Sequence, residues 1–122
     1  MHTTLPEPGP WTAYGETLTS RLMIGTAGYP SPQVLREAIA ASGAGVVTVG
    51  LRRTLAAAGD NGFLADLLTD LKGRGVKLLP NTAGCRSPRE AVALAHMARE
   101  LYGTGWIKLE VVGDEPTLQP EP

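Results

Sequence analysis

Residues 76–112 read VKLLPNTAGCRSPREAVALAHMARELYGTGWIKLEVV, and this stretch decides the fold. It begins with an apolar run at residues 76–79 and ends with another at residues 106–112, and both are too short for buried helices. Between the runs, the Ser-Pro-Arg-Glu motif at residues 87–90 fits a capping box with proline in the first helical position. Gly103 marks the end of that helix. A strand, a helix and a second strand in this order predict parallel strands joined by a right-handed crossover.

The same alternation extends toward the N-terminus. Residues 21–24 and 46–49 form two more apolar runs, and the second of them is largely β-branched. Apolar residues at helical spacing indicate two further helices, one that starts at Ser31 with Pro32 behind it and one over about residues 63–72. The resulting βαβαβαβ order predicts an α/β fold with parallel strands, as in a barrel or a doubly wound sheet.

The two ends of the chain differ from this repeat. Residues 13–20, with a turn near Gly15, are compatible with a short hairpin arm before the first strand. Residues 113–122 include three prolines, and we expect no further helix or strand there. The pattern indicates one domain, with no linker and no second unit.

Composition and charge exclude several classes of protein. The 122 residues suit a single domain, and 43% hydrophobic but only 5% aromatic residues indicate an aliphatic interior. A net charge of −1 gives no support for a nucleic-acid or anionic-membrane partner, and no apolar stretch approaches the roughly 18 residues of a membrane span. Cys85 is the single cysteine, so we expect a reducing, cytoplasmic location and a small buried thiol. The sequence shows no metal-ligand cluster.

The last apolar run carries two charges. If residues 106–112 form a strand, alternation places Lys108 and Glu110 on one face, about 7 Å apart along the strand, and apolar residues on the other face under a helix. Two charges on an enclosed face are costly unless they are paired or used. A desolvated, neutral lysine amine is a nucleophile, and a neighbouring carboxylate can move protons during imine formation. The alternative is a structural Lys–Glu pair on an exposed edge strand, and alternation does not decide between the two.

The loops after the strands supply further candidates, because ligands of parallel α/β folds bind at the carboxyl ends of the strands. Arg52 and Arg53 follow the second strand and are able to bind a phosphate or carboxylate. Asn81 and Thr82 follow the third strand, and a Gly-rich loop at residues 25–28 follows the first. The alternatives are surface ion pairs for the arginines and simple chain reversal for the loops.

Several segments resemble one known family. Residues 106–114 (WIKLEVVGD) closely resemble the active-lysine strand of bacterial thiazole synthases, and residues 79–85 (LPNTAGC) resemble the loop after that family's third strand. Residues 48–53 and 91–101 are also similar, and the similarity runs in order from about residue 17 to residue 120.

The resemblance implies a fold and a division of the chain. Residues 17–122 are expected to form the N-terminal half of a (β/α)8 TIM barrel that stops after its fourth strand. Residues 1–16 are expected to form a partly flexible N-terminal arm.

The resemblance also implies a reaction, the formation of the thiazole phosphate moiety of thiamine by a sulfur-transferring transferase. In that family a lysine forms a Schiff base with the ketone of 1-deoxy-D-xylulose 5-phosphate, and this lysine corresponds to Lys108. The acid/base glutamate corresponds to Glu110, while Asn81, Thr82 and Arg52 are candidate substrate-binding residues. Sulfur arrives as a thiocarboxylate on a small sulfur-carrier protein, dehydroglycine supplies the C–N unit, and the synthase itself needs no metal or organic cofactor.

The chain also departs from the family pattern. Residues 25–29 read Gly-Thr-Ala-Gly-Tyr where the family usually has Gly-Thr-Gly-Lys-Tyr, and family members are considerably longer. A barrel's phosphate site is typically built by its last strands, so we expect this chain to be inactive by itself. The alternatives are a non-catalytic half-barrel that self-associates as a homo-oligomer or pairs with a separate C-terminal half, and another Schiff-base aldolase barrel.

Overall fold

The computed structural model describes residues 9–52 and 61–122, and these form seven strands and three helices. The strands are β1 (Trp11–Ala13), β2 (Glu16–Leu18), β3 (Met23–Gly25), β4 (Val46–Gly50), β5 (Lys77–Asn81), β6 (Val112–Asp114) and β7 (Gln119–Pro120). The helices are α1 (Pro32–Ser42), α2 (Asn61–Gly73) and α3 (Pro88–Tyr102).

The central sheet is parallel and has the order β3-β4-β5. In its register Val46 of β4 lies opposite Met23 of β3 and Lys77 of β5, and Gly50 lies opposite Asn81 at the other end. The predicted α/β class with parallel strands is therefore confirmed, and helices connect successive strands as the βαβ pattern requires.

The hydrophobic core lies between one face of this sheet and the three helices. Val47 and Val49 of β4 and Leu78 of β5 face the helices because alternate residues of a strand share a face. Each fully buried aliphatic side chain of this kind stabilises the fold by roughly 1.5–3 kcal/mol. In the described ranges, no helix has the length and apolar content of a membrane span. The helices contribute Leu35, Ile39, Leu67, Leu71, Ala98 and Tyr102 to the core.

The ends of α1 and α3 match their sequence signals. The Ser31 hydroxyl accepts a hydrogen bond from the Val34 amide at 3.2 Å, and α1 ends at Gly43, whose φ of 67° is left-handed. The Ser87 hydroxyl accepts from the Glu90 amide at 3.2 Å, which confirms the cap predicted for α3. The reciprocal half of the capping box differs, because the Glu90 carboxylate accepts from the Arg86 amide at 3.2 Å and not from Ser87.

The prediction of a regular fourth strand over residues 106–112 is wrong. Lys108 alone forms a bridge to Asn81, in the parallel sense. The Lys108 amide donates to the Pro80 carbonyl at 2.8 Å, so the Pro80 nitrogen faces the carbonyl of Trp106 in the same register. Proline has no N–H to donate, and the ladder therefore cannot continue to Trp106. Pro80 also lies inside β5, although the sequence suggested that it ends the strand.

Small hairpins precede and follow the parallel unit along the chain. The predicted N-terminal hairpin is present as β1 and β2, joined by Tyr14 and Gly15 with φ of 48° and 79°, a two-residue connection that suits the twist of paired strands. The expectation that residues 113–122 form no element is wrong, because β6 and β7 pair antiparallel. Pro120 is accommodated because an edge position makes no demand on its missing N–H.

Candidate functional site

The bridge at Lys108 places three residues in one row across the sheet. Gly50 lies opposite Asn81, and Asn81 lies opposite Lys108. Residues paired in register project from the same face of a sheet, and the neighbouring row of Val49, Pro80 and Ile107 meets the helices. Lys108 therefore projects from the face opposite the helices, together with Asn81.

This face is less enclosed than the sequence suggested. Lys108 is exposed, whereas Val46, on the same face at the other end of the sheet, is only 1% exposed. On the helix side Ile107 packs against the core as expected, but Leu109 is 55% exposed.

Glu110 is half-buried and does not pair with Lys108. Both residues belong to the described part of the chain, and no ion pair joins them. The carboxylate instead lies close enough to Cys85 to act on its thiol. The interpretation of the two charges as a structural Lys–Glu pair is not supported by this arrangement.

Asn81 is held by its own loop. Its side-chain oxygen accepts a hydrogen bond from the Ala83 amide at 3.1 Å, which forms a local turn at the end of β5. Across the row, a Cβ on Gly50 would lie 3.7 Å from this oxygen, an ordinary contact. Gly50 thus places no side chain of its own beside Asn81 in this row. Its signal in the sequence is a glycine at the carboxyl end of a β-branched run.

Thr82, predicted to bind substrate, is completely buried between β5 and the segment that carries Lys108. Its hydroxyl donates to the Glu110 carbonyl and accepts from the Glu110 amide, both at 2.8 Å. Its amide donates to the Lys108 carbonyl at 3.2 Å. Thr82 thus joins two segments of backbone and does not present its hydroxyl at the surface.

Arg52, the other predicted anion-binding residue, is engaged with the loop after β5. Its guanidinium donates to the Gly84 carbonyl and forms an ion pair with Glu90 at 3.3 Å. Gly84 has a φ of 87°, a conformation that favours glycine, and a Cβ there would lie 2.8 Å from the Arg52 Nη1 atom, so that the end of the arginine side chain would have to move. Arg53 lies outside the described residues.

Cys85 lies at the centre of this loop. The thiol is fully buried, as the sequence predicted. Burial raises the pKa of the Cys85 thiol above its ordinary value of 9.0, the carboxylates of Glu90 and Glu110 raise it further, and the charge of Arg52 opposes them. The backbone of Cys85 accepts a hydrogen bond from the Val112 amide at 2.7 Å, which ties the segment after Lys108 to the same loop.

The Gly-rich loop at residues 25–28 follows β3 at the same end of the sheet. The Thr26 hydroxyl donates to the Thr48 carbonyl at 3.0 Å and so ties this loop to β4. Gly28 has a φ of 84°, a conformation that favours glycine. These features indicate a turn with a structural role, and a Cβ on Gly25 would lie 3.6 Å from the Thr48 Oγ1 atom, an ordinary contact.

A groove of about 310 Å³ lies at the opposite end of the sheet. Its lining includes Lys72, Val76, Tyr102 and Trp106, which belong to the ends of α2 and α3 and to the starts of β5 and of the Lys108 segment. Ligands of parallel α/β folds bind at the carboxyl ends of the strands, so Lys108 and not this groove marks the candidate site. Among residues 9–52 and 61–122, no group of three His, Cys, Asp or Glu side chains is placed to hold a metal ion.

Comparison with known proteins decides the family. A family model described as thiazole biosynthesis protein ThiG matches residues 12–122. The chain belongs to the ThiG family. It is 54% identical over 109 residues to a thiazole synthase of Brucella canis and 57% identical over 108 residues to a thiazole synthase of Bradyrhizobium sp..

The ThiG relatives are longer than this chain. The two alignments cover 89% and 88% of the chain but 41% and 40% of the respective relatives, so the chain spans about two fifths of their length. The resemblance to thiazole synthases seen in the sequence is thereby confirmed. The α/β structure corresponds to part of the barrel of this family, with β3, β4 and β5 as its parallel strands.

Proposed function

We propose that this chain carries the imine-forming segment of a thiazole synthase, with Lys108 as the reacting amine. The observation that supports the proposal is the row formed by Gly50, Asn81 and Lys108 at the carboxyl end of the parallel sheet. This is the edge at which barrel enzymes bind their substrates. Lys108 is exposed there and projects from the face of the sheet away from the helices.

The proposed chemistry is attack of the neutral Lys108 amine on the ketone carbon of 1-deoxy-D-xylulose 5-phosphate. A C–N bond forms, the nitrogen proton moves to the former carbonyl oxygen, and that oxygen leaves as water to give the Schiff base. Glu110, two residues along the same segment, is proposed to protonate the departing oxygen and then to remove a carbon-bound proton. Two residues of extended chain place its Cα about 7 Å from that of Lys108, within reach of a substrate bound to the lysine.

The other predicted residues take different places in this proposal. Asn81 shares the face and the row of Lys108, and we assign it to contact with the sugar phosphate. Arg52 would have to exchange Glu90 for a substrate phosphate, so we give it a secondary role. The buried hydroxyl of Thr82 is not a substrate contact in this arrangement.

The complete thiazole-forming reaction is proposed for the longer family members. It would take sulfur from the thiocarboxylate of a sulfur-carrier protein and act as a sulfur-transferring transferase. For this chain by itself we propose at most the imine step, because Lys108 is exposed and the described residues build no enclosed phosphate site.

Borohydride trapping tests the proposal. The chain is incubated with 1-deoxy-D-xylulose 5-phosphate, reduced, digested and analysed by mass spectrometry. We expect an adduct on Lys108 in the unaltered chain and its loss in Lys108→Arg. Lys77→Arg is the matched control, because Lys77 also lies on the sheet but at the end remote from the site, and it should retain the adduct. A folded chain that yields no adduct, or one labelled equally at other lysines, would contradict the proposal.

A non-catalytic, self-associating half-barrel remains the second candidate function. The observation that favours it is exposed apolar surface at both sides of the sheet, where Met23 is 49% and Leu109 55% exposed. Light scattering across a range of concentrations tests this candidate. A concentration-independent monomer mass would count against it, and a homo-oligomer without any Lys108 adduct would support it.

A further inference from the structure

The segment that carries Lys108 is joined to β5 by few hydrogen bonds, and most of them involve one residue. The Thr82 hydroxyl makes two bonds of 2.8 Å to the amide and carbonyl of Glu110, and the Thr82 amide bonds the Lys108 carbonyl at 3.2 Å. Two further bonds run from the Lys108 amide to the Pro80 carbonyl at 2.8 Å and, beyond β5, from the Val112 amide to the Cys85 carbonyl at 2.7 Å. Thr82 is completely buried where it makes these contacts.

The Thr82 hydroxyl replaces backbone groups that a regular parallel ladder would use at this position. In a regular parallel ladder the Glu110 amide would donate to the carbonyl of Thr82. That carbonyl instead accepts from the Cys85 amide at 3.1 Å, because the chain turns sharply after β5. The Thr82 side chain supplies the acceptor that the turn removes, and it also supplies a donor for the Glu110 carbonyl.

On the N-terminal side of Lys108, no comparable hydrogen bonds join the described segment to β5. Pro80 has no N–H to offer to the carbonyl of Trp106, so the ladder does not extend in that direction. The register at Lys108 therefore depends on the contacts of Pro80 and Thr82, with the Val112–Cys85 bond as the next contact along the segment. A slip of one residue would exchange Lys108 for Leu109 on the open face of the sheet, because side chains alternate along an extended strand.

We propose that Thr82 is a positioning residue whose hydroxyl sets the register and the orientation of Lys108 and Glu110. Its relevance to imine formation rests on the proposed function, but the register itself does not. Thr82 was expected to bind substrate. In this proposal it acts instead by holding the backbone of Glu110 through two hydrogen bonds.

The test compares two substitutions that separate the hydroxyl from the methyl group. Thr82→Val keeps the shape and removes the hydroxyl, while Thr82→Ser keeps the hydroxyl and removes the methyl group. Amide hydrogen exchange, followed by NMR, reports the backbone of Lys108 and Glu110. We expect exchange at Glu110 to become roughly tenfold faster in Thr82→Val and to stay near the original rate in Thr82→Ser, since a buried acceptor is lost only in the first.

Borohydride trapping at saturating 1-deoxy-D-xylulose 5-phosphate is the second readout. We expect Thr82→Val to lower the maximal rate of Lys108 labelling roughly tenfold, with recovery in Thr82→Ser. If the unaltered chain forms no imine, the proposed function fails, while the exchange data still decide the register. Equal impairment of both variants, or no change in folded Thr82→Val, would overturn the positioning role.

One further measurement covers the case in which Thr82→Val does not fold. In the unaltered chain, a hydroxyl hydrogen-bonded to Glu110 and excluded from water should exchange slowly enough for its proton to be observed. We expect a nuclear Overhauser contact between that proton and the Glu110 amide. A hydroxyl proton in fast exchange, without this contact, would overturn the proposal on the unaltered protein.

Discussion

Cys85 and Tyr102 are residues whose burial ties the stability of the fold to pH. Burial raises the pKa of the Cys85 thiol above 9.0 and that of the Tyr102 phenol above 10.0. Each group therefore holds its proton more tightly in the folded chain than in the unfolded chain. This contribution to stability is fully present below the ordinary pKa values and is lost as the pH rises through the raised ones.

We expect the free energy of unfolding to fall steadily above about pH 9. Urea titrations at a series of pH values measure this decline. Cys85→Ala and Tyr102→Phe should each make the decline shallower, because each removes one ionisation that unfolding promotes. Tyr14→Phe is the matched control, since Tyr14 is 93% exposed and should leave the decline as it was. An unchanged slope in the double variant of Cys85 and Tyr102 would contradict the explanation.

Single residues could be predicted from the sequence where the information is local. A lone cysteine in an apolar context suggests burial, and Cys85 is buried. The shared face expected for Lys108 and Glu110 depends on a regular strand over residues 106–112, which does not form. The fate of Arg52 could not be predicted, because its partners Gly84 and Glu90 lie on another loop. The role of Thr82 depends on the register between two distant segments, which no local pattern contains.

At the scale of elements, helix ends were predictable and the fourth strand was not. A cap is decided within a few residues, so Ser31 and Ser87 could be identified from their neighbours alone. Strand formation at residues 106–112 depends on the backbone hydrogen-bond donors and acceptors of β5. Pro80 in β5 has no N–H to donate to the carbonyl of Trp106. The pairing between β5 and the Lys108 segment therefore does not extend to Trp106.

The cap of α3 gives a prediction at this scale. Ser87→Ala should lower the free energy of unfolding by about 1 kcal/mol, because the Glu90 amide loses its acceptor. Ser87→Asp should be close to neutral, since a carboxylate accepts the same bond and suits the positive end of the helix. Chemical denaturation of both variants checks this. An alanine variant as stable as the parent chain would show that the cap contributes nothing.

At the scale of the whole molecule, the two ends of the parallel sheet carry different groups. The β1–β2 hairpin lies at the end where the strands begin: the Trp11 indole donates to the Ser20 carbonyl at 2.8 Å, and Glu16 pairs with Lys77 at 2.9 Å. Lys108 and Asn81 lie at the end where the strands finish. The parallel α/β unit was predictable from the βαβ repeat, and the partial barrel from the family resemblance. The packing of the hairpin against the start of β5 was not predictable, because it joins distant parts of the chain.

Leu18 allows the two ends to be tested separately. It is 3% exposed, and Leu18→Ala should lower the free energy of unfolding by about 2–5 kcal/mol. The rate of Lys108 labelling, measured well below the melting temperature, should not change. Thermal melts and borohydride trapping on the same preparation provide both values. Loss of labelling in a fully folded variant would show that the hairpin affects the site.

The placement of the hairpin has a practical consequence for protein engineering. Substitutions that raise heat tolerance can be sought among the contacts of β1 and β2, on a surface that the proposed reaction does not use. Libraries that alter substrate preference would instead vary Gly50, Asn81 and the loops beside them. The two searches can proceed in parallel if Tyr14 is left unchanged, because its ring packs edge-on against Trp106 at 6.2 Å, two residues before Lys108.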